Sequence, residues 1–128
     1  MKGEETADVT FKRFEEFDSY EGKFLYAGRG LGVTSWGMNI LQMAPDWAGY
    51  PDHDHAKEGQ EEVYMILQGS AQLRAGGESW DLAPGTVIRV GAAQKRKIVP
   101  GPKGATILAL GGAPGKPYEA PVRAKRSA

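Results

Sequence analysis

Short apolar segments recur along this chain, and glycine and proline separate them. Segments of this length are typical of strands, and no long helical pattern lies between them. The chain has 18 glycines and 8 prolines in 128 residues, a content typical of short strands joined by tight turns. The sequence therefore predicts an all-β fold. Nine segments are predicted as strands: VTFKRF, KFLYAG, WGMNILQM, EVYMILQG, AQLRA, SWDL, GTVIRV, RKIV and ATILAL.

The turn residues favour antiparallel pairing. Gly76-Gly77 lies between two predicted strands and can adopt the positive φ that a two-residue hairpin turn requires. LAPGTV and VPGPKGAT are predicted as loops, because proline fixes one residue and glycine frees the next. Phe11 to Tyr20 could form one short amphipathic helix. The expected architecture is an antiparallel β-barrel with a short helical or loop segment near the N-terminus.

Composition excludes several classes of function. Lysine plus arginine equals aspartate plus glutamate, 16 of each, so no overall charge favours nucleic acid or an anionic membrane. The absence of cysteine excludes disulfides, thiolate metal ligands and cysteine nucleophiles. No stretch has the length or apolarity of a membrane span or signal peptide, which predicts a cytoplasmic protein. We expect one domain over residues 9–115, a flexible N-terminus over 1–8, and a partly flexible C-terminal extension over 116–128.

Both histidines of the chain lie two residues apart, ahead of an apolar strand. In an extended segment residues i and i+2 face the same way, so His53 and His55 would project side by side. Glu62 begins the next strand and can meet them if the chain returns antiparallel. Two imidazoles and one carboxylate suit Fe, Zn, Mn, Ni or Cu ions and leave coordination positions open. Gln60 and Glu61 are reserve ligands, because the long intervening loop leaves the register open.

This pattern resembles the first motif of the cupin superfamily, and specifically its small single-domain members. His53-Asp54-His55 is followed by six residues, then Glu62, and six more residues lead to Gly69. The spacing from glutamate to glycine matches the family motif, whereas the loop before Glu62 is two residues longer. The resemblance implies a jelly-roll barrel, a homodimer, and a metal site in the barrel lumen that acts on or binds a small molecule.

The second cupin motif matches in its turn and differs in its ligand. Pro84-Gly85 reproduces the family's turn, but the position of the third histidine ligand falls on Arg96, and that of a following asparagine falls on Pro100. An arginine there opposes a divalent cation unless an anion or Glu62 lies between them, or the side chain turns away. Gln94, on the same strand face, could supply an amide oxygen instead.

Three interpretations remain open from the sequence. In the first, a divalent transition metal binds His53, His55 and Glu62, and Arg96 points aside or clamps an anionic substrate; dioxygenase or isomerase chemistry would then follow. In the second, Arg96 pairs with Glu62, and a metal-free barrel binds or senses a small molecule. In the third, the histidines belong to a polar loop at the sheet edge. Tyr64 and Trp47 are further candidates for the ligand pocket, although aromatic residues in β proteins more often belong to the core.

Overall fold

A computed structural model describes residues 7–121. A short 3-10 turn, Phe14–Glu16, precedes seven strands and one helix. In chain order these are β1 (Ser19–Tyr20), β2 (Phe24–Leu25), α1 (Ala27–Leu31), β3 (Gly37–Met43), β4 (Glu61–Ala75), β5 (Glu78–Leu82), β6 (Val87–Val90) and β7 (Arg96–Gly112). No helix in this part of the chain is long and apolar enough to cross a membrane.

All strand pairs are antiparallel, as the sequence predicts. The sheet order is β1-β2-β3-β7-β4-β5, and β6 pairs with the first half of β4. Gly76 and Gly77, both with positive φ, form the predicted turn between β4 and β5. Pro84 and Gly85 form the turn before β6. The fold class is therefore the expected antiparallel β-barrel.

Two strands are much longer than predicted because each continues through a corner. EVYMILQG and AQLRA are one strand, β4, whose pairing with β7 shifts register on either side of Gly69. RKIV and ATILAL are likewise one strand, β7, so the prediction of VPGPKGAT as a loop was wrong. Gly69 and Gly104 both have positive φ, and a Cβ on Gly69 would collide with the carbonyl oxygen of Gly104. Glycine therefore lets the strands turn while keeping their backbones in contact.

The N-terminal predictions were partly wrong. VTFKRF is not a strand: Phe11 is 85% exposed, and no strand among residues 7–121 pairs with this segment. The helix considered from Phe11 to Tyr20 is reduced to Phe14–Glu16 because Ser19 already belongs to β1. KFLYAG contributes only β2 before the chain enters α1, which ends at Gly32 with φ of 81°. Residues 1–6 and 122–128, which include most of the predicted flexible ends, lie outside the described residues.

The core lies inside the barrel, and β4 shows how the strands divide their side chains. Tyr64 and Ile66 are fully buried within it, whereas Leu67 on the opposite face is exposed. The predicted alternation along β4 is thus confirmed. A second small cluster, Leu25, Ala27 and Ile40, packs α1 against the outer face of β3. The homodimer expected from the resemblance stays a prediction.

Candidate metal centre

The loop that carries the histidines is held against the start of β7. His53 and Arg96 exchange two backbone hydrogen bonds, of 2.9 and 2.8 Å, and the His55 amide donates to the Ala92 carbonyl at 2.8 Å. These bonds fix the backbone on both sides of Asp54. Glu62, at the start of β4, pairs with Val90 of β6 and with Gly111 at the far end of β7, and its side chain meets the Arg96 side chain across the inside of the barrel. The loop is thus positioned by pairing with its neighbours as well as by its own turn, in which the Gly59 amide donates to the His55 carbonyl at 2.9 Å.

Three potential ligand side chains converge at this end of the barrel. His53, His55 and Glu62 each offer a ligand atom, and these atoms lie within 4.8 Å of one another. The Nε2 atom of His55 lies 3.3 Å from Oε1 of Glu62, and that of His53 lies 4.0 Å from the same oxygen. The two rings are nearly perpendicular, with centroids 5.0 Å apart. The convergence that the first interpretation requires is therefore present.

Both imidazoles are oriented through their other nitrogen. Nδ1 of His53 lies 3.0 Å from the Pro51 carbonyl oxygen, and Nδ1 of His55 lies 3.0 Å from Oε1 of Glu58. A carbonyl and a carboxylate only accept, so each Nδ1 donates a proton. In the neutral rings Nε2 then carries a lone pair directed towards Glu62. This is the outer-shell arrangement that commonly fixes the tautomer of metal-binding histidines.

The geometry between His55 and Glu62 requires a positive species. A lone pair on Nε2 would repel the carboxylate oxygen 3.3 Å away unless a proton or a metal ion lies between them. In the absence of metal the hydrogen bond to Glu62 raises the pKa of His55, with burial opposing and Glu58 assisting. A metal ion at this place would compete with that proton.

Arg96 is completely buried and is held by protein groups. Its Nη2 donates to Oε1 of Glu62 at 2.8 Å, and its Nη1 donates to the Gln94 carbonyl at 2.7 Å. Its Nε lies 3.4 Å from the Tyr64 hydroxyl. Tyr64 in turn donates to Oε1 of Glu62 at 2.5 Å and shares a 3.1 Å hydrogen bond with Tyr50. The Arg96 guanidinium therefore supports Glu62 and does not offer itself as a clamp for a substrate.

The surroundings of Glu62 keep it ionised. Burial on its own would raise the pKa of this carboxyl, but hydrogen bonds from His55 and Tyr64, together with the charges of His55 and Arg96, lower it to about 2. Burial likewise opposes the charge on Arg96, yet the contacts with Tyr64 and Glu62 raise the pKa of Arg96 above its ordinary value. Glu62 is thus a permanent anion that lies between Arg96 and the imidazoles.

Of the other residues predicted for the site, Glu61, Gln94 and Trp47 make contacts elsewhere, and Gln60 lies close to it. Glu61 points away and pairs with Arg89 at 2.6 Å. The side-chain amide of Gln94 donates to the Lys95 carbonyl at 2.9 Å. Trp47 packs against the edge of the core, with the Lys23 ammonium 5.5 Å from its ring centroid. Of the reserve ligands, Gln60 alone lines the cavity beside His55 and Glu62.

That cavity has a volume of about 180 Å³ and opens beside His55 and Glu62. The segment that follows β7 forms one of its walls, because Tyr118, Glu119 and Pro121 line it together with residues of the barrel. The Tyr118 ring lies on Gly37, where a Cβ would come within 3.0 Å of its hydroxyl. Sequence reasoning gave this segment no role.

Three residues of the site carry a weak signal in the sequence or none. Glu58 holds His55, and its position three residues after a histidine in a turn is the one indication of that contact. Tyr50 reaches Tyr64 across fourteen residues, and Tyr118 reaches β3 from the far end of the chain. The last two contacts depend on the tertiary fold.

Comparison with known proteins supports the fold. No protein-family model and no curated protein matches the chain. Among solved structures, a cupin protein from Bacteroides fragilis is 24% identical with a TM-score of 0.64, covering 88% of this chain and 93% of its own. A sugar phosphate isomerase of the cupin superfamily from Silicibacter pomeroyi is 22% identical with a TM-score of 0.61, covering 69% of this chain and 57% of its own. KdgF from Halomonas is 14% identical with a TM-score of 0.55, covering 61% and 68%.

These likenesses show that the chain has the fold of small cupin proteins. It spans less than two thirds of the length of the sugar phosphate isomerase that it matches.

Proposed function

We propose that this cupin-type barrel binds a divalent transition metal through His53, His55 and Glu62 and acts on a small hydroxylated molecule that bears an anionic group. The observation that carries the proposal is the pair of hydrogen bonds that direct both Nε2 lone pairs at one ionised carboxylate. Two nitrogens and one oxygen are borderline donors that suit Fe, Zn, Mn, Ni or Cu.

Arg96 is compatible with this proposal because of where its charge lies. A divalent cation and a buried guanidinium repel each other strongly unless an anion separates them. Glu62 accepts from Arg96 and faces His55 through the same oxygen, Oε1. It therefore offsets the arginine charge, and an ion at the imidazoles would share Oε1 with the donors Arg96 and Tyr64. We expect weaker metal binding than in a site with a third imidazole, since part of the charge of Glu62 is already neutralised.

We propose isomerase-type chemistry, in line with the solved sugar phosphate isomerase of similar fold. A bound metal would act as a Lewis acid that polarises a substrate carbonyl or hydroxyl oxygen. The protein side chains would hold the ligands in place and transfer the proton. His55, Tyr64 and Arg96 hold Glu62 ionised against the effect of burial, and Glu58 orients His55. The proton transfer would fall to Glu58 or Glu119, the cavity carboxylates outside the ligand set.

A metal-free barrel that binds a small molecule is the second candidate, and the 2.8 Å ion pair between Arg96 and Glu62 favours it. With His55 protonated, the two cations Arg96 and His55 are matched by the two carboxylates Glu62 and Glu58, so the network needs no metal. The cavity beside His55 would then receive the ligand directly.

Metal titration of the purified chain separates the two candidates. After treatment with a chelator, Mn²⁺ and Zn²⁺ are titrated by calorimetry into the wild type, Glu62→Gln and Glu61→Gln. Glu61 is the matched control, because it is the neighbouring glutamate on the same strand and pairs with Arg89 instead. We expect one equivalent of metal to bind to the wild type and to Glu61→Gln, and at least about tenfold weaker binding to Glu62→Gln. Absence of binding in the wild type, or equal binding in both variants, would refute the metal site.

A further inference from the structure

Tyr118 separates two neighbouring cavities. The cavity beside His55 and Glu62 shares four lining residues, Gly37, Asn39, Tyr118 and Pro121, with a second cavity of about 230 Å³. The second cavity lies between α1 and the start of β3. Both cavities are lined by the Tyr118 side chain, so this ring forms a common wall between them. In the part of the chain that the structure describes, its hydroxyl makes no hydrogen bond that would hold the ring in place.

The two cavities differ in charge. Glu58, Glu62 and Glu119 line the cavity at the metal centre, where they disfavour a free anion. The second cavity has Arg29 as the sole charged residue among its described lining residues. Arg29 is exposed, and the central carbon of its guanidinium lies 4.7 Å from the centroid of the Tyr26 ring, within the range of a cation–π contact. Trp36, which is 47% exposed, forms an apolar surface in the same cavity.

We infer that the two cavities form one ligand site, in which Arg29 binds the anionic group and the metal centre binds the hydroxylated end. This inference rests on the proposed function and assigns the substrate class: an elongated molecule with a carboxylate or phosphate at one end and oxygen donors at the other. Arg96, the anion clamp considered from the sequence, cannot serve because its guanidinium is buried and bonded to Glu62, Gln94 and Tyr64. A planar guanidinium such as that of Arg29 pairs well with either anion.

The surface beside Glu58 offers the competing assignment. Lys57 and Lys116 line a third cavity together with Tyr118. The carboxylates of Glu58 and Glu119 line the same cavity and balance the two lysine charges. No carboxylate lies beside Arg29 among the described lining residues of its cavity, so Arg29 is the better site for an anion.

The test compares ribose 5-phosphate with ribose as probes, using calorimetry on the full chain with and without Mn²⁺. We expect the phosphate to improve binding by about tenfold in the wild type, a typical value for one charge-assisted contact. The difference between the two probes should disappear in Arg29→Gln. It should persist in Arg74→Gln, a control at an exposed arginine of β4 that bonds to Gln72, and in the double variant Lys57→Gln, Lys116→Gln.

Each result bears on one proposal. If Arg29→Gln retains the preference for the phosphate, or the lysine variant loses it, the inference is wrong. The comparison made without Mn²⁺ tests the Arg29 cavity alone, so a chain that fails to bind metal can still support or refute it. Tyr118→Ala gives a second readout: if the site is continuous, removal of the ring should speed the association of ribose 5-phosphate. An unchanged association rate would contradict the continuity of the two cavities.

Discussion

Replacement of Arg96 by histidine tests the electrostatic logic of the centre. In the metal-free protein this change removes the cation that faces Glu62 and leaves the carboxylate partly buried. Burial raises the pKa of Glu62, and its partners His55, Tyr64 and Arg96 together lower it to about 2, so Arg96 supplies only part of that shift and the cost of its loss follows from the buried ion pair itself. Loss of one partner of a buried pair typically costs about 3–5 kcal/mol. We therefore expect Arg96→His to lower the free energy of unfolding by about 3 kcal/mol without metal.

Metal should reverse that loss. An imidazole at position 96 would add a ligand and remove the opposing charge. At a free Ni²⁺ concentration 1,000 times the dissociation constant, binding stabilises a folded protein by about 4 kcal/mol, which exceeds the loss. Urea denaturation with and without Ni²⁺ measures both quantities. Arg96→Met is the matched control, because it removes the same charge without supplying a ligand.

The result that would refute this reasoning is specific. Arg96→His should bind Ni²⁺ more tightly than Arg96→Met, and both should bind it more tightly than the wild type. If the histidine variant binds no better than the methionine variant, position 96 does not reach the ion. If neither variant is destabilised without metal, the pairing of Arg96 with Glu62 contributes nothing to the folded state.

Two further predictions concern pH and the support of His55. The folded-state pKa of Glu62 lies below its unfolded value, so its stabilising effect is present above about pH 4.5 and is lost as the pH falls towards 2. The folded-state pKa of His55 is raised by Glu62 above its unfolded value. The stabilisation that protonated His55 provides is therefore present below pH 6.5 and is lost at higher pH. Urea titrations of the metal-free protein should thus show the greatest free energy of unfolding between about pH 4.5 and pH 6.5. If Glu62→Gln loses stability in acid as steeply as the wild type does, Glu62 is not the group responsible for that loss. Glu58→Ala should weaken Zn²⁺ binding about 10- to 100-fold by releasing Nδ1 of His55, and Glu58→Gln, which keeps an acceptor there, should preserve most of it; equal losses in calorimetry would exclude an orienting role.

The sequence predicted the architecture well because strand signals are local. Alternation along β4 and the Gly76-Gly77 turn depend on adjacent residues, and both are present as expected. The two long strands were divided in prediction because glycine and proline usually end a strand. At Gly69 and Gly104 they instead bend strands that remain paired on either side of the corner.

The convergence of the three candidate ligand side chains was predictable, and their surroundings were less so. His53, His55 and Glu62 follow from spacing, since an i, i+2 pair and a strand-leading acid share a face. The partners of Arg96 depend on side-chain rotamers set by packing, so the sequence left its direction open between a clamp and an ion pair. Tyr118 was missed because a contact between the last described segment and β3 leaves no periodic pattern in the sequence.

The two backbone hydrogen bonds between His53 and Arg96 have an evolutionary consequence. They hold the histidine loop through the main chain of residue 96, whatever side chain that residue carries. Arginine and histidine codons can differ by a single nucleotide, so one point mutation could exchange the buried cation for an imidazole without releasing the loop. A barrel built in this way could gain or lose a third imidazole in one step, and the proposed metal site would change between weaker and tighter binding without any change in the fold.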